Sequence, residues 1–163
     1  MKLTRNLFVP CLDTSEGSGT AKYVPIDLST EFEFSWNPNE ETYSYIKDAD
    51  DSTEVTGYAP QMEQEIALES TNPMYSYLFP KFMALPKGSD LVVPCLLCVP
   101  DDKGAVTVGY LWKQAQLSPQ KLNTVDGKLT FNINFNGAVE KGTVKVSGST
   151  ITYTAPTASG VGA

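Results

Sequence analysis

The sequence contains no histidine. That absence removes Ser-His-Asp and Cys-His triads, His₂Glu zinc centres and imidazole proton shuttles. Cysteine is scarce too: there are three, an odd number that cannot close a complete disulfide framework. Cys95 and Cys98 form a C-x-x-C in LVVPCLLCVP. On a strand an offset of three puts them on opposite faces, and no second C-x-x-C accompanies them. They read as free cysteines acting as small buried hydrophobes. Positive charge is sparse, with 12 Lys and Arg against 19 Asp and Glu in 163 residues, a net of −7. Such a chain is poorly suited to gripping nucleic-acid phosphates. No apolar run approaches the roughly 20 residues of a membrane span. Lys2 and Arg5 precede an apolar stretch at residues 7–12, but it is short, holds Pro10 and meets Asp13, so no signal peptide is expected. No G-x-S-x-G, phosphate-cradling loop or metal-spaced cluster is present. No catalytic, cofactor-binding or metal-ligating residue is therefore expected, and the chain reads as a non-enzyme.

What the sequence does contain is alternation with period two, the mark of strands. In residues 26–36, Ile26, Leu28, Phe32, Phe34 and Trp36 face one way, and Asp27, Glu31 and Glu33 the other. Residues 61–69 repeat the pattern, with Met62, Ile66 and Leu68 against Glu63, Glu65 and Glu69. Residues 91–99 are almost wholly apolar, as in a strand covered on both faces. Residues 106–117 are long and mixed. In residues 128–136, Leu129, Phe131, Ile133 and Phe135 alternate with Thr130, Asn132 and Asn134. Residues 143–146 and 150–154 form a closing hairpin. One helix is expected: Thr71 or Asn72 caps it, Pro73 suits its first position, and Met74, Leu78, Phe82 and Leu85 share its apolar face. Pro80 is expected to kink or divide it. The fold class is mainly β, a sandwich or barrel of six to seven antiparallel strands with one flanking α-helix. Residues 1–154 read as one domain with an N-terminal arm (1–21) and a long loop (36–59), followed by a flexible tail (155–163).

Two features are candidates for function. If residues 26–36 pair with 61–69, then Asp27, Glu31, Glu33, Glu63, Glu65 and Glu69 share one surface, although like charges opposed across strands destabilise a sheet. Solubility alone accounts for such a stripe; the sharper reading is a surface that must not stick to another polyanion. The charge is also polarised along the chain: residues 1–69 hold 14 acids and 4 bases, and residues 70–163 hold 5 acids and 8 bases. The second feature is the loop at 36–59, longer than the roughly 15 residues beyond which loops are usually functional or disordered. It carries Trp36, Tyr43, Tyr45, Ile46 and Tyr58 among six acids, as an arm that docks on a neighbour would. The alternative is a loop folded back over its own domain.

Several stretches occur in an order that resembles the major tail tube proteins of long, non-contractile phage tails and of related prophages. They are KLTRNLFVP, WNPNEETYSYIKDADDSTEVTGYAPQMEQE, TNPMYSYLFPKF, KGSD before a strand, and TFNINFNGAVEKGTVKV. The resemblance covers residues 2–147 and implies a homo-oligomer: six copies in a ring whose inner sheets join, with rings stacked around a tape-measure protein. DNA passes through without specific binding, tail-tip and terminator proteins are further partners, and neither membrane nor cofactor is involved. Assembly would take place in the host bacterial cytoplasm and the product would be a virion tail. Carried onto this sequence, residues 37–58 become the contact between rings, and residues 2–12, with Leu7 and Phe8, a contacting arm. The acidic stripe would line the lumen, with Thr130, Asn132 and Asn134 a competing lining. Other readings are a carbohydrate- or protein-binding β-sandwich using the loop aromatics, and another head–tail joining or tail-terminator component.

Overall fold

The computed structural model describes residues 2–16, 19–26, 29, 33–47, 49–148 and 150–156, without the Arg5 side chain. The architecture is mainly β with one α-helix. Six strands close an antiparallel barrel in the order β1 (Val9–Asp13), β2 (Tyr23–Pro25), β12 (Thr150–Thr154), β11 (Val139–Ser147), β8 (Val106–Trp112) and β7 (Cys95–Pro100). A four-stranded antiparallel sheet packs beside it in the order β3 (Glu33–Ser35), β6 (Gln61–Ala67), β10 (Lys128–Asn134) and β9 (Gln116–Asn123). A separate hairpin, β4 (Pro38–Tyr43) with β5 (Ser52–Tyr58), leaves the end of β3.

The apolar run at 91–99 shows how the two units share a core. Cys95, Leu96, Leu97 and Cys98 of β7 are all buried. Leu96 and Cys98 point into the barrel with Cys11, Leu111, Val144 and Ile151. Cys95 and Leu97 point out of it, into a second core with Met62, Ile66, Leu117, Phe131 and Ile133. A strand buried on both sides needs no polar alternation. The offset of three places the two cysteines in different cores, and both are free.

Helix α1 (Pro73–Met83) lays Met74, Leu78 and Phe82 on the second core. Asn72 caps it by accepting from the Met74 amide at 3.1 Å, and Pro73 takes the first helical position. Pro80 does not divide it. It sits on the exposed side with Ser76, the residue whose carbonyl loses its amide partner to the proline. Leu85 is not on the apolar face either: it lies past the helix end at φ 54°, 78% exposed.

Other expectations need correction. The mainly β fold with a six-strand barrel is as expected, but twelve strands are seen among the described residues in place of six to seven: β1 and β2 are too short to show a period, β9 holds Pro119, and β4 and β5 have no buried face. Within the N-terminal arm expected at 1–21, Val9–Asp13 is a barrel strand with Cys11 and Leu12 fully buried. Asp13 fastens the turn that follows by accepting from the Ser15 amide at 2.9 Å and the Lys22 amide at 3.1 Å. The strand expected at 26–36 is represented by a bridge between Ser29 and Ile66 and by Glu33–Ser35; positions 27, 28 and 30–32 lie outside the described residues. Ile26 belongs to the barrel side, its amide bonded to the Pro10 carbonyl at 2.9 Å. The segment 106–117 breaks at Lys113–Gln114, and Gln116 opens β9. The loop at 36–59 is a β-hairpin. The expected tail at 155–163 falls mostly on residues 157–163, outside the described residues.

Candidate functional site

The four-stranded sheet has one apolar face and one polar face. Phe34, Met62, Ile66, Leu129, Phe131, Ile133 and Leu117 turn toward the core. Cross-strand register fixes what lies on the other side. Glu33 stands opposite Glu63, Glu63 opposite Asn132, and Asn132 opposite Ser118, so one row crosses all four strands. The next row holds Glu65, Thr130 and Lys121; the row on the other flank holds Ser35, Gln61, Asn134 and Gln116. The acidic stripe and the Thr130, Asn132, Asn134 face, read from the sequence as competitors, are therefore one surface.

The acidic set is only partly brought together. Glu33, Glu63 and Glu65 share the face. Glu69 does not, because β6 ends at Ala67 and Glu69 sits in the turn beyond, its amide bonded to the Ala67 carbonyl at 3.1 Å. Asp27 and Glu31 lie outside the described residues. Nor is the surface purely acidic. Lys128 Nζ reaches diagonally to Glu65 Oε1 at 2.7 Å, and Lys121 stands exposed on β9. Lys128 shares the parity of Thr130, Asn132 and Asn134, so its place was readable. Lys121 was not, because Pro119 disguises β9 as a loop.

The outer edges of this sheet are largely open. Beyond β9, Val92 bridges Gln116, and the Val93 amide bonds the Ala115 carbonyl at 2.8 Å. From Ser118 to Asn123 no described strand pairs on that side, and none pairs on the outer side of β3. Pro119 sits in the middle of the β9 edge, the place where a missing amide is tolerated and unwanted pairing is discouraged.

The β4–β5 hairpin is exposed along nearly its whole length. It does not fold back over the domain. Its root is clamped: the Ala59 amide reaches the Trp36 carbonyl at 3.2 Å, and Asn37 Nδ2 reaches the Ala59 carbonyl at 3.1 Å. Trp36 packs edge-on against Phe34, with ring centroids 5.1 Å apart, and Phe34 in turn meets Phe135 at 5.0 Å. Tyr58 pairs with Pro38 at the same root. Tyr43 and Tyr45 stack on each other near the tip at 6.1 Å, and the Tyr43 hydroxyl donates to Glu41. Ile46, at the tip, is fully exposed. Tyr43 lies five positions beyond Pro38, about 17 Å along the strand. The loop aromatics thus form a root pair and a tip pair, not one platform. Leu7 and Phe8 are half-buried beside the first barrel strand, Leu7 in a short 3₁₀ turn.

Among the described residues, no group of three or more His, Cys, Asp or Glu is placed to hold a metal ion, and no helix is long and apolar enough to cross a membrane.

No protein-family model and no curated protein matches the sequence. Solved structures do match the fold. One is a chain from the sheath/tube terminator of an extracellular contractile injection system, PVC, in its extended state; it is 8% identical with a TM-score of 0.52, over 86% of this chain and 96% of that one. Another comes from the baseplate of the anti-feeding prophage, at 5% identity and a TM-score of 0.50, over 86% and 95% of the two chains. At such identities the likeness concerns the fold, which is tail-tube-like: a closed antiparallel barrel with a flanking sheet and one helix.

Proposed function

We propose that this chain is a structural subunit of a phage-like tail tube, assembling into stacked rings that form a hollow conduit. The observation that carries the reading is the four-stranded sheet with one polar, partly exposed face and two edges left largely unpaired among the described residues. An isolated sheet with open edges is an aggregation hazard, and ring closure removes the edges. The polar face then lines the lumen. A lumen through which DNA passes must stay wet and hold few unpaired cations, since each would bind phosphate. Here Glu65 neutralises Lys128, and Glu33 and Glu63 add negative charge. The exposed hairpin, with Ile46 and the Tyr43–Tyr45 stack at its tip, serves as the contact between successive rings. The residues lining this surface do so through shape and charge, without a cofactor. DNA would pass unbound, with a tape-measure protein as template and tail-tip and terminator proteins at the ends.

Electron microscopy of the concentrated protein, alone and seeded with tail-tip complex, tests the proposal. Rings or tubes are expected. A strictly monomeric species under both conditions overturns it. Rings that never stack would make the chain a terminator or joining subunit, a second reading that a structural neighbour described as a sheath/tube terminator supports.

A further inference from the structure

The charges on the polar face are segregated across the sheet. Glu33 and Glu63 sit on β3 and β6, at one edge. Lys121 sits on β9, at the other. Glu33 and Glu63 are direct cross-strand partners, and both are exposed. Like charges in that position repel. Among the described residues neither makes an ion pair, and neither does Lys121. Lys128, the other lysine of the face, is occupied by Glu65.

Strand direction decides how two copies could meet. β3 is antiparallel to β6, β6 to β10, and β10 to β9, so β9 runs opposite to β3. Laying the β9 edge of one copy along the β3 edge of the next continues the antiparallel alternation. Joining β3 to β3 or β9 to β9 would place acid on acid or lysine on lysine. The first contact is heterologous, and a heterologous contact that closes makes a ring. Within the sheet Lys121 lies one row from the row of Glu33. A junction that carries the rows across in register would set Lys121 of one copy and Glu33 of the next on a diagonal of roughly 7–8 Å, which a lysine side chain spans.

Resting on the ring reading above, we propose that the partner of the β9 edge is the β3 edge of a second copy of this chain, and that Lys121 of one copy relieves the Glu33–Glu63 repulsion of the next. The clasp selects which edges join. It also leaves the free monomer with an uncompensated acid pair at one edge and a proline-blunted strand at the other.

Glu33→Lys and Lys121→Glu test it, because both side chains are exposed and the chain should fold with either change. At low salt each single variant is expected to need roughly three- to tenfold more protein to form rings, read by analytical ultracentrifugation with electron microscopy. The double variant in one chain restores assembly, because the reversed charges again meet across the junction. An equimolar mixture of the two single variants also restores it, as alternating copies. The defects shrink in high salt. Single variants that are folded by circular dichroism and assemble like the parent overturn the clasp while the ring reading stands, as does a double variant no better than either single. Glu33→Gln, which removes charge without reversing it, should fall between parent and Glu33→Lys and covers the case in which the reversal misfolds. A parent protein that forms no ring at all overturns the ring reading itself.

Discussion

Lys81 Nζ lies 3.1 Å from Glu16 Oε1, and the Tyr77 hydroxyl donates to the same oxygen at 3.1 Å. The contact ties the turn after the first barrel strand to the helix. Lys81 is mostly buried in the pair and Glu16 mostly exposed. The hydrogen bond and charge of Lys81 hold the Glu16 carboxyl below its ordinary value of 4.5, and burial pushes the Tyr77 hydroxyl well above its ordinary range. A depressed carboxylate contributes stability above its unfolded value and loses it as pH falls through the folded one. Lys81→Met should therefore remove less than about 1 kcal/mol at neutral pH, given the exposure of Glu16. It should also flatten the stability profile below pH 4.5, where the parent loses the pair. Urea titrations of parent and variant between neutral pH and the acid limb measure both effects.

Gly142 stands opposite Gly109 where β11 meets β8. A Cβ on Gly142 would fall 2.4 Å from the Thr154 carbonyl oxygen and 2.7 Å from the Tyr153 ring. The carbonyl belongs to β12 and cannot yield without opening the barrel. The Tyr153 ring is also held, its hydroxyl donating to Glu140 at 2.8 Å. Gly142→Ala should destabilise by about 2–3 kcal/mol, through overpacking against backbone. Gly148→Ala has open space around it and only a positive φ of 61° to oppose it, so about 1 kcal/mol is expected. Thermal melts of the two variants should separate in that order.

Leu85 is the residue after the helix cap, with φ 54° and its amide bonded to the Phe82 carbonyl at 3.0 Å. This is the left-handed position that usually holds glycine. Its side chain is exposed, so little packing would be lost on its removal. Leu85→Gly should stabilise the isolated chain by up to about 1 kcal/mol, seen as a higher urea midpoint at unchanged slope. A lower midpoint would mean that the leucine packs on something that the strain argument ignores.

The same helix shows what can be read from sequence and what cannot. Asn72, Pro73 and the Met74, Leu78, Phe82 spacing fix its start and its buried face, because capping and periodicity are local. Leu85 continued that spacing on paper but fell outside the helix, since the left-handed turn that ends it has no glycine to announce it. The same division runs through the sheets. The apolar run around Cys95 to Cys98 correctly signalled a strand covered on both sides. β9 stayed hidden because Pro119 argues against a strand, and only an open edge makes it tolerable. The candidate surface suffered from that omission. Glu33, Glu63, Glu65 and Lys128 were legible from alternation, whereas Lys121 lies on the strand that was not recognised. The hairpin at 36–59 was equally opaque: its strands are exposed on both sides, so no buried face imposes a period of two on them.

That two-sided exposure leads to the last prediction. Hairpin strands without a buried face add little to the stability of a lone domain, so substitutions at the tip should be nearly silent in the monomer. Ile46→Asp should change the urea midpoint by no more than the roughly 0.5 kcal/mol typical of exposed sites. If the hairpin joins successive rings, the same change places a charge where an apolar contact forms and should block stacking. Rings would then persist under the electron microscope while tubes disappear. Trp36→Ala should behave differently, because Trp36 packs against Phe34 at the root and helps hold the hairpin to the sheet. It should lower monomer stability by about 1 kcal/mol as well as weaken stacking. Tubes that form unchanged from Ile46→Asp protein would show that the tip is not the contact, and would leave the edge-to-edge ring untouched.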